Sequence, residues 1–234
     1  WYGSKIVTTI SKTDGSKAFT VPGYVGTARN GRIDVADSDA ASEYGENTSV
    51  YDYDGNLVFK VPEGYSVCGG YRDGLLWCTD YSSPNYKSIV YDVTGKTVFE
   101  IDGEIFEPFK NGKAVVSVPS VFENLPNKQG IINTQGKWLL KPVYESIQQL
   151  NNGYYVVRAL GREEILDENL NTIVKKDSNN AWYDSKDNKM FYCLYGYYYD
   201  GLTDEPIVCK ESGAQATDYF YESGYFAAKQ GKDI

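Results

Sequence analysis

The sequence predicts an all-β fold, a β-propeller of about six four-stranded blades, and three observations predict it. Two series of glycine turns run in step along the chain, about forty residues apart. Short runs of apolar, β-branched and aromatic residues separate the turns, as pleated strands require. No segment carries an apolar 3.6-residue period long enough for a helix.

The first turn series consists of the tetrads TDGS (Thr13 to Ser16), YDGN (Tyr53 to Asn56), VTGK (Val93 to Lys96) and TQGK (Thr134 to Lys137). Their glycines, Gly15, Gly55, Gly95 and Gly136, are 40, 40 and 41 residues apart by subtraction. An apolar run follows each: KAFTV, NLVFKV, KTVFEI and KWLLKPV. The second series is Asn30-Gly31, Asp73-Gly74, Asn111-Gly112 and Asn152-Gly153, echoed at Ser223-Gly224. Asn-Gly and Asp-Gly accept positive φ at both central positions, so they turn a hairpin whose twist matches its strands.

The fourth copy alternates strand and punctuation most clearly, through IIN, WLLKPVY, YESIQQL, YYVVRAL and EEILDE. That reading gives about four short strands per copy. A fifth copy is degenerate, with Glu168-Asn169-Leu170 and Asn188-Lys189 in its turn slots, and a sixth restores Asp200-Gly201. The residues 1–234 thus read as one repeat domain. The terminal segment GYFAAKQGKDI looks like the last strands of a copy and SKIVTTI like the next, so pairing of the N- and C-terminal strands would close the ring and remove an exposed edge. The alternative is an open β-solenoid or stacked sheet array.

The segment QGIINTQGKWLLKPVYESIQQLNNGYYVV, Gln129 to Val157, resembles the bacterial WG (KWG) repeats, as do copies two, three and six more loosely. Trp1-Tyr2-Gly3 is similar to the family's opening, whereas Lys128-Gln129-Gly130 stands where the Trp-Gly pair would recur. The resemblance implies a repeat scaffold, envelope-associated or secreted, with no catalytic residues to carry over.

Composition narrows the function classes. The chain has 23 Lys+Arg against 32 Asp+Glu, a formal charge of -9, which repels nucleic acid. It has no His, which removes Ser-His and Cys-His nucleophile pairs and the commonest zinc ligand. No apolar run is long enough for a transmembrane helix, and a chain opening on Trp1 reads as part of a longer, exported polypeptide. In that setting the four Cys permit disulfides, with Cys68 and Cys78 facing each other across the GGYRDG turn as the first candidate and Cys193 with Cys209 as the second; the alternative is four buried thiols.

The connections that vary most in length are DVADSDAASEYGENTS (Asp34 to Ser49), TDYSSPNYK (Thr79 to Lys87) and VPSVFENLPNK (Val118 to Lys128), against only LGREE in copy four. Equivalent connections in a repeat fold emerge on one face. Tyr44, Tyr81, Tyr86 and Phe122, with Asn85 and Asn124 beside them, are therefore the candidate binding residues: rings that stack a sugar or peptide side chain and amides that orient it. Asp34, Asp37 and Asp39 form an oxygen-rich stretch able to hold calcium, the one cofactor the sequence suggests, although their spacing does not match the twelve-residue calcium loop. Asp52 and Asp54 are accounted for by turn chemistry.

These readings favour a non-catalytic binding or scaffold domain with a protein or glycan partner. A glycan hydrolase would need carboxylates flanking one bond. Glu163 with Glu164, and Asp204 with Glu205, are adjacent on strands and point to opposite faces. A pure spacer is the third class.

Overall fold

A computed structural model describes residues 6–36, 47–82, 85–120, 126–150, 153–159, 162–176, 181–184, 189–194, 197–200, 203, 205–220 and 225–228. Every regular element among them is a β-strand, and none of the described residues forms a helix long and apolar enough to cross a membrane. The chain divides into two compact units, Trp1–Val143 and Tyr144–Ile234.

The first unit opens with a hairpin of β1 (Val7–Ser11) and β2 (Lys17–Pro22). Three four-stranded antiparallel meanders follow. They are β3 (Tyr24–Arg29), β4 (Arg32–Ala36), β5 (Thr48–Asp52) and β6 (Leu57–Lys60); β7 (Tyr65–Val67), β8 (Leu76–Asp80), β9 (Lys87–Tyr91) and β10 (Thr97–Asp102); and β11 (Glu104–Lys110), β12 (Lys113–Val118), β13 (Lys128–Asn133) and β14 (Trp138–Tyr144). The second unit holds a fourth meander, β15 (Ser146–Gln149), β16 (Tyr155–Ala159), β17 (Arg162–Leu166) and β18 (Thr172–Lys176). A three-stranded sheet, β19 (Ala181–Asp184), β20 (Lys189–Leu194) and β21 (Tyr197–Asp200), and a hairpin, β22 (Ala216–Phe220) with β23 (Tyr225–Ala228), complete it. Each meander is the up-and-down sheet of a propeller blade.

The second turn series closes the first hairpin of each meander in the first unit as its chemistry requires. Asn30 and Gly31 have φ of 52° and 75°, and Asn111 and Gly112 have 54° and 76°. The first series closes the last hairpin of each meander, and from its second member on the working residue is an Asp or Asn three positions before the glycine, whereas in the β1–β2 turn Lys12 stands there and Asp14 accepts the Ser16 N–H at 2.8 Å. Oδ1 of Asp52 accepts the N–H groups of Asp54 at 2.9 Å and Asn56 at 2.8 Å, while the Asp52 carbonyl accepts Gly55 N–H at 3.2 Å. Asp92, Asn133 and Asp167 do the same in the next three copies. In the last of these Leu170 takes the glycine's place at φ 67°.

Those bonds favour the ionised carboxylates. The Asn56 side-chain amide above all holds Asp52 below its ordinary 3.8, and the Thr94 hydroxyl does so for Asp92. A depressed folded pKa means a stabilising contribution that is complete above the unfolded value and disappears as pH falls through the folded one. Native-state carboxyl titration by NMR is expected to place both midpoints below 3.8, with stability declining only as the pH drops under about 4. Midpoints at or above that value would show that the turn bonds do not select the ionised form.

The sheets of the first unit pack face to face in chain order. Leu75, Trp77 and Val90 of one sheet meet Ile105, Phe109, Ala114, Val116 and Ile132 of the next. Inner strands are buried on both faces, as in β12 and β13, while β14 alternates half-buried with exposed. A ring-on-glycine contact repeats between neighbouring sheets. A Cβ placed on Gly55, Gly95 or Gly136 would lie 2.7, 2.6 or 2.5 Å from the ring of Phe19, Phe59 or Phe99, each four residues after the previous copy's turn glycine.

Two expectations are corrected here. The sequence copy is not the sheet: β10 and β11 are separated by Gly103 alone yet belong to different sheets, so each sheet takes its two hairpins from consecutive copies. The cysteine pairing also fails. Val67 lies opposite Cys78, and the Cys68 N–H bonds to the Trp77 carbonyl at 3.2 Å, which puts the two thiols on opposite faces. All four cysteines are free, and burial pushes the Cys78 thiol up to about 12.

Candidate binding cleft at the loop end

Each sheet of the first unit has its tight turns at one end and its variable connection at the other. The same loop end carries the crossings from the last strand of one sheet to the first of the next, at Gly23, Val61 and Gly103. Candidate residues from the β8–β9 connection therefore meet the β10–β11 crossing.

They meet there in an open cleft of about 360 Å³. Asn85, Tyr86 and Lys87 form one wall, Asp102 the end of β10, and Val118, Pro119 and Ser120 the opposite side where β12 runs out. Tyr86 sits at φ 44°, a left-handed conformation rarely adopted by a bulky residue. Its carbonyl accepts the Gly103 N–H at 3.0 Å. Gly103 is itself confined, because a Cβ there would lie 2.7 Å from the Ser117 carbonyl oxygen. The loop is thus pinned to the crossing by backbone.

A hydroxyl chain fixes the same corner from beneath. The fully buried Thr79 and Ser88, opposite each other on β8 and β9, are bonded at 2.9 Å, and the Ser88 hydroxyl donates to the Gly103 carbonyl at 2.7 Å. Sequence reasoning passed over this pair. It had a signal, since polar residues stand seven before the turn glycine at Thr8, Thr48, Ser88 and Gln129, and Thr8 likewise donates to the Gly23 carbonyl at 2.6 Å.

Tyr81 is part of the frame rather than a free stacking platform. Its hydroxyl donates to Glu104 Oε1 at 3.0 Å and lies 3.3 Å from Cys68 Sγ, and its ring meets Tyr86 edge-on at 5.7 Å. Burial first, then the Cys68 thiol and the Glu104 carboxylate, raise its pKa far above the ordinary phenol value. The phenol stays a neutral donor. Lys87 donates to Glu100, Nζ to Oε2 2.5 Å, and that bond and charge raise its pKa.

The other candidates divide. Tyr44, Phe122, Asn124, Asp37 and Asp39 lie outside the described residues. Asp34 is not in a loop: it is on β4, 6% exposed, and accepts the Thr27 N–H at 3.1 Å and the Thr27 hydroxyl. Among the described residues no cluster of three His, Cys, Asp or Glu is placed to hold a metal ion. In the second unit the Tyr-rich segment packs against its own sheets, with the rings of Phe191, Tyr198 and Phe226 5.0 to 5.9 Å apart. Glu163 is buried against Arg158 at 2.5 Å, whereas Glu164 is reached by the Thr172 hydroxyl at 3.2 Å, so the two carboxylates diverge.

Comparison with known proteins adds a match to one stretch of the chain and a likeness of fold. A crystal structure of the eukaryotic initiation factor is similar at 12% identity and a TM-score of 0.55, over 87% of this chain and 60% of that one. The β-propeller domain of the Trilobed protease from Pyrococcus furiosus, described as having an open velcro topology, matches at 14% identity and 0.40, over 95% and 70%. The Neurospora crassa Pan2 WD40 domain matches at 10% and 0.39, over 79% and 65%. The first likeness is one of fold alone, and this chain spans about 60% of the length of that protein. No curated protein sequence matches the chain. The family model described as WG containing repeat matches residues 130–161, from β13 to just past β16, and the chain therefore carries a WG containing repeat.

Proposed function

We propose that the chain is a non-catalytic binding domain built on a repeat scaffold, part of a secreted or cell-envelope bacterial protein, and that its partner is held at the loop end of the first unit. One observation carries this reading. The 360 Å³ cleft is walled by the two variable connections, near the lower end of the volumes that hold small ligands or single side chains, and its corner is fixed by the buried Thr79–Ser88 pair. A rigid scaffold beneath irregular connections is the usual arrangement for recognition. The divergence of Glu163 and Glu164 speaks against the hydrolase reading.

The test uses Tyr86→Asn, since Asn tolerates the left-handed backbone and the change removes only the ring. Wild-type protein screened against glycan and peptide arrays is expected to retain a ligand that Tyr86→Asn releases at unchanged melting temperature. Arrays on which the wild type retains nothing favour the spacer, and a variant that binds equally overturns the cleft as the binding site. Tyr81→Ala is unsuitable, because it also removes the bond to Glu104.

A further inference from the structure

The cleft's charge and lining narrow the partner, and the narrowing rests on the binding reading above. We propose that it takes the cationic side chain of a basic peptide segment, a lysine or arginine of a partner protein.

Among the described residues four carboxylates stand at this corner, Asp80, Glu100, Asp102 and Glu104, against the ammonium groups of Lys87 and of Lys128, which pairs with Val118 from β13. Three are engaged: Asp80 Oδ1 accepts from the Ser82 N–H and hydroxyl, Glu100 holds Lys87, and Glu104 accepts the Tyr81 hydroxyl. Asp102 is exposed at the cleft wall, and the Lys87 ammonium is already bonded to Glu100. Its carboxylate is the acceptor left for an incoming donor. Tyr86 supplies a ring face for a cation, and the half-buried Val118 and Pro119 supply an apolar side for the methylene stem. An anionic ligand would meet uncompensated negative charge here, on a chain whose net charge is -9. A neutral sugar ring would leave that charge without a counter-ion.

The experiment is an amide NMR titration with four probes: acetyl-Gly-Gly-Lys-Gly-Gly-amide, the same peptide with norleucine for lysine, spermidine, and methyl glucopyranoside. The lysine peptide is expected to shift Tyr86, Asp102 and Ser120, and the norleucine peptide to leave them unmoved. Asp102→Asn is expected to weaken the lysine peptide about tenfold, the loss of one charge-assisted bond. Added salt should weaken it too. Equal binding of the norleucine peptide overturns the proposal, as does spermidine binding without the peptide. Glucopyranoside shifts without lysine-peptide shifts sink the cation and leave the binding reading standing; silence from all four probes removes both. Should Asp102→Asn fail to fold, the lysine and norleucine pair on the wild type decides.

Discussion

Gly95→Ala is expected to destabilise the first unit by about 3 kcal/mol, as the sum of two separable costs. The residue sits at φ 85°, where a Cβ costs roughly 1–2 kcal/mol. The added methyl would also lie 2.6 Å from the Phe59 ring, and overpacking of that kind costs roughly 1–3 kcal/mol. Gly74→Ala separates them. Gly74 has φ 76° but nothing within 4 Å of a built Cβ, so it carries the backbone cost alone, about 1 kcal/mol. Urea midpoints for both variants read the difference. Equal losses would mean that the ring-on-glycine contact contributes nothing.

Phe109→Ala is expected to cost about 4 kcal/mol, in the range for emptying an aromatic site in a packed core. Phe109 is 1% exposed and stands edge-on to two rings, Trp77 at 6.0 Å and Phe99 at 6.4 Å. Trp77 comes from one sheet, so the cavity would open at the interface that joins the sheets. Phe106, on the same strand, is 56% exposed, and Phe106→Ala should change stability by under about 0.5 kcal/mol. Denaturation followed by tryptophan fluorescence compares them. A small loss at Phe109 would remove the sheet-to-sheet core as the main source of stability in this unit.

The strand content and turn series were legible because they rest on local chemistry. Asn30-Gly31 and Asn111-Gly112 do what that dipeptide does in any hairpin. The phase of the sheets was not legible, since only pairing across Gly103 decides whether β10 and β11 share a sheet. The cysteine register was not legible either: bulges shift the pairing within these hairpins, as between Val25 and Ala28 of β3, and only the observed pairing of Val67 with Cys78 sets Cys68 and Cys78 on opposite faces. At the cleft, Asn85 and Tyr86 were found from their place in a variable connection. Asp102 and Pro119 were not, because one ends a regular strand and the other follows one, and only folding brings them beside the loop. Tyr81 was found for the wrong reason: sequence shows its ring but not the Glu104 carboxylate that occupies its hydroxyl.

The contact between each phenylalanine and the next turn glycine is identical in kind at three successive joints, Phe19 with Gly55, Phe59 with Gly95 and Phe99 with Gly136. Such a joint is a standard coupling: any segment with the ring at one end and the glycine at the other fits between two of its kind. A gene of this sort can gain or lose whole units by recombination without redesigning an interface. Duplication confined to these three couplings should yield longer chains that fold.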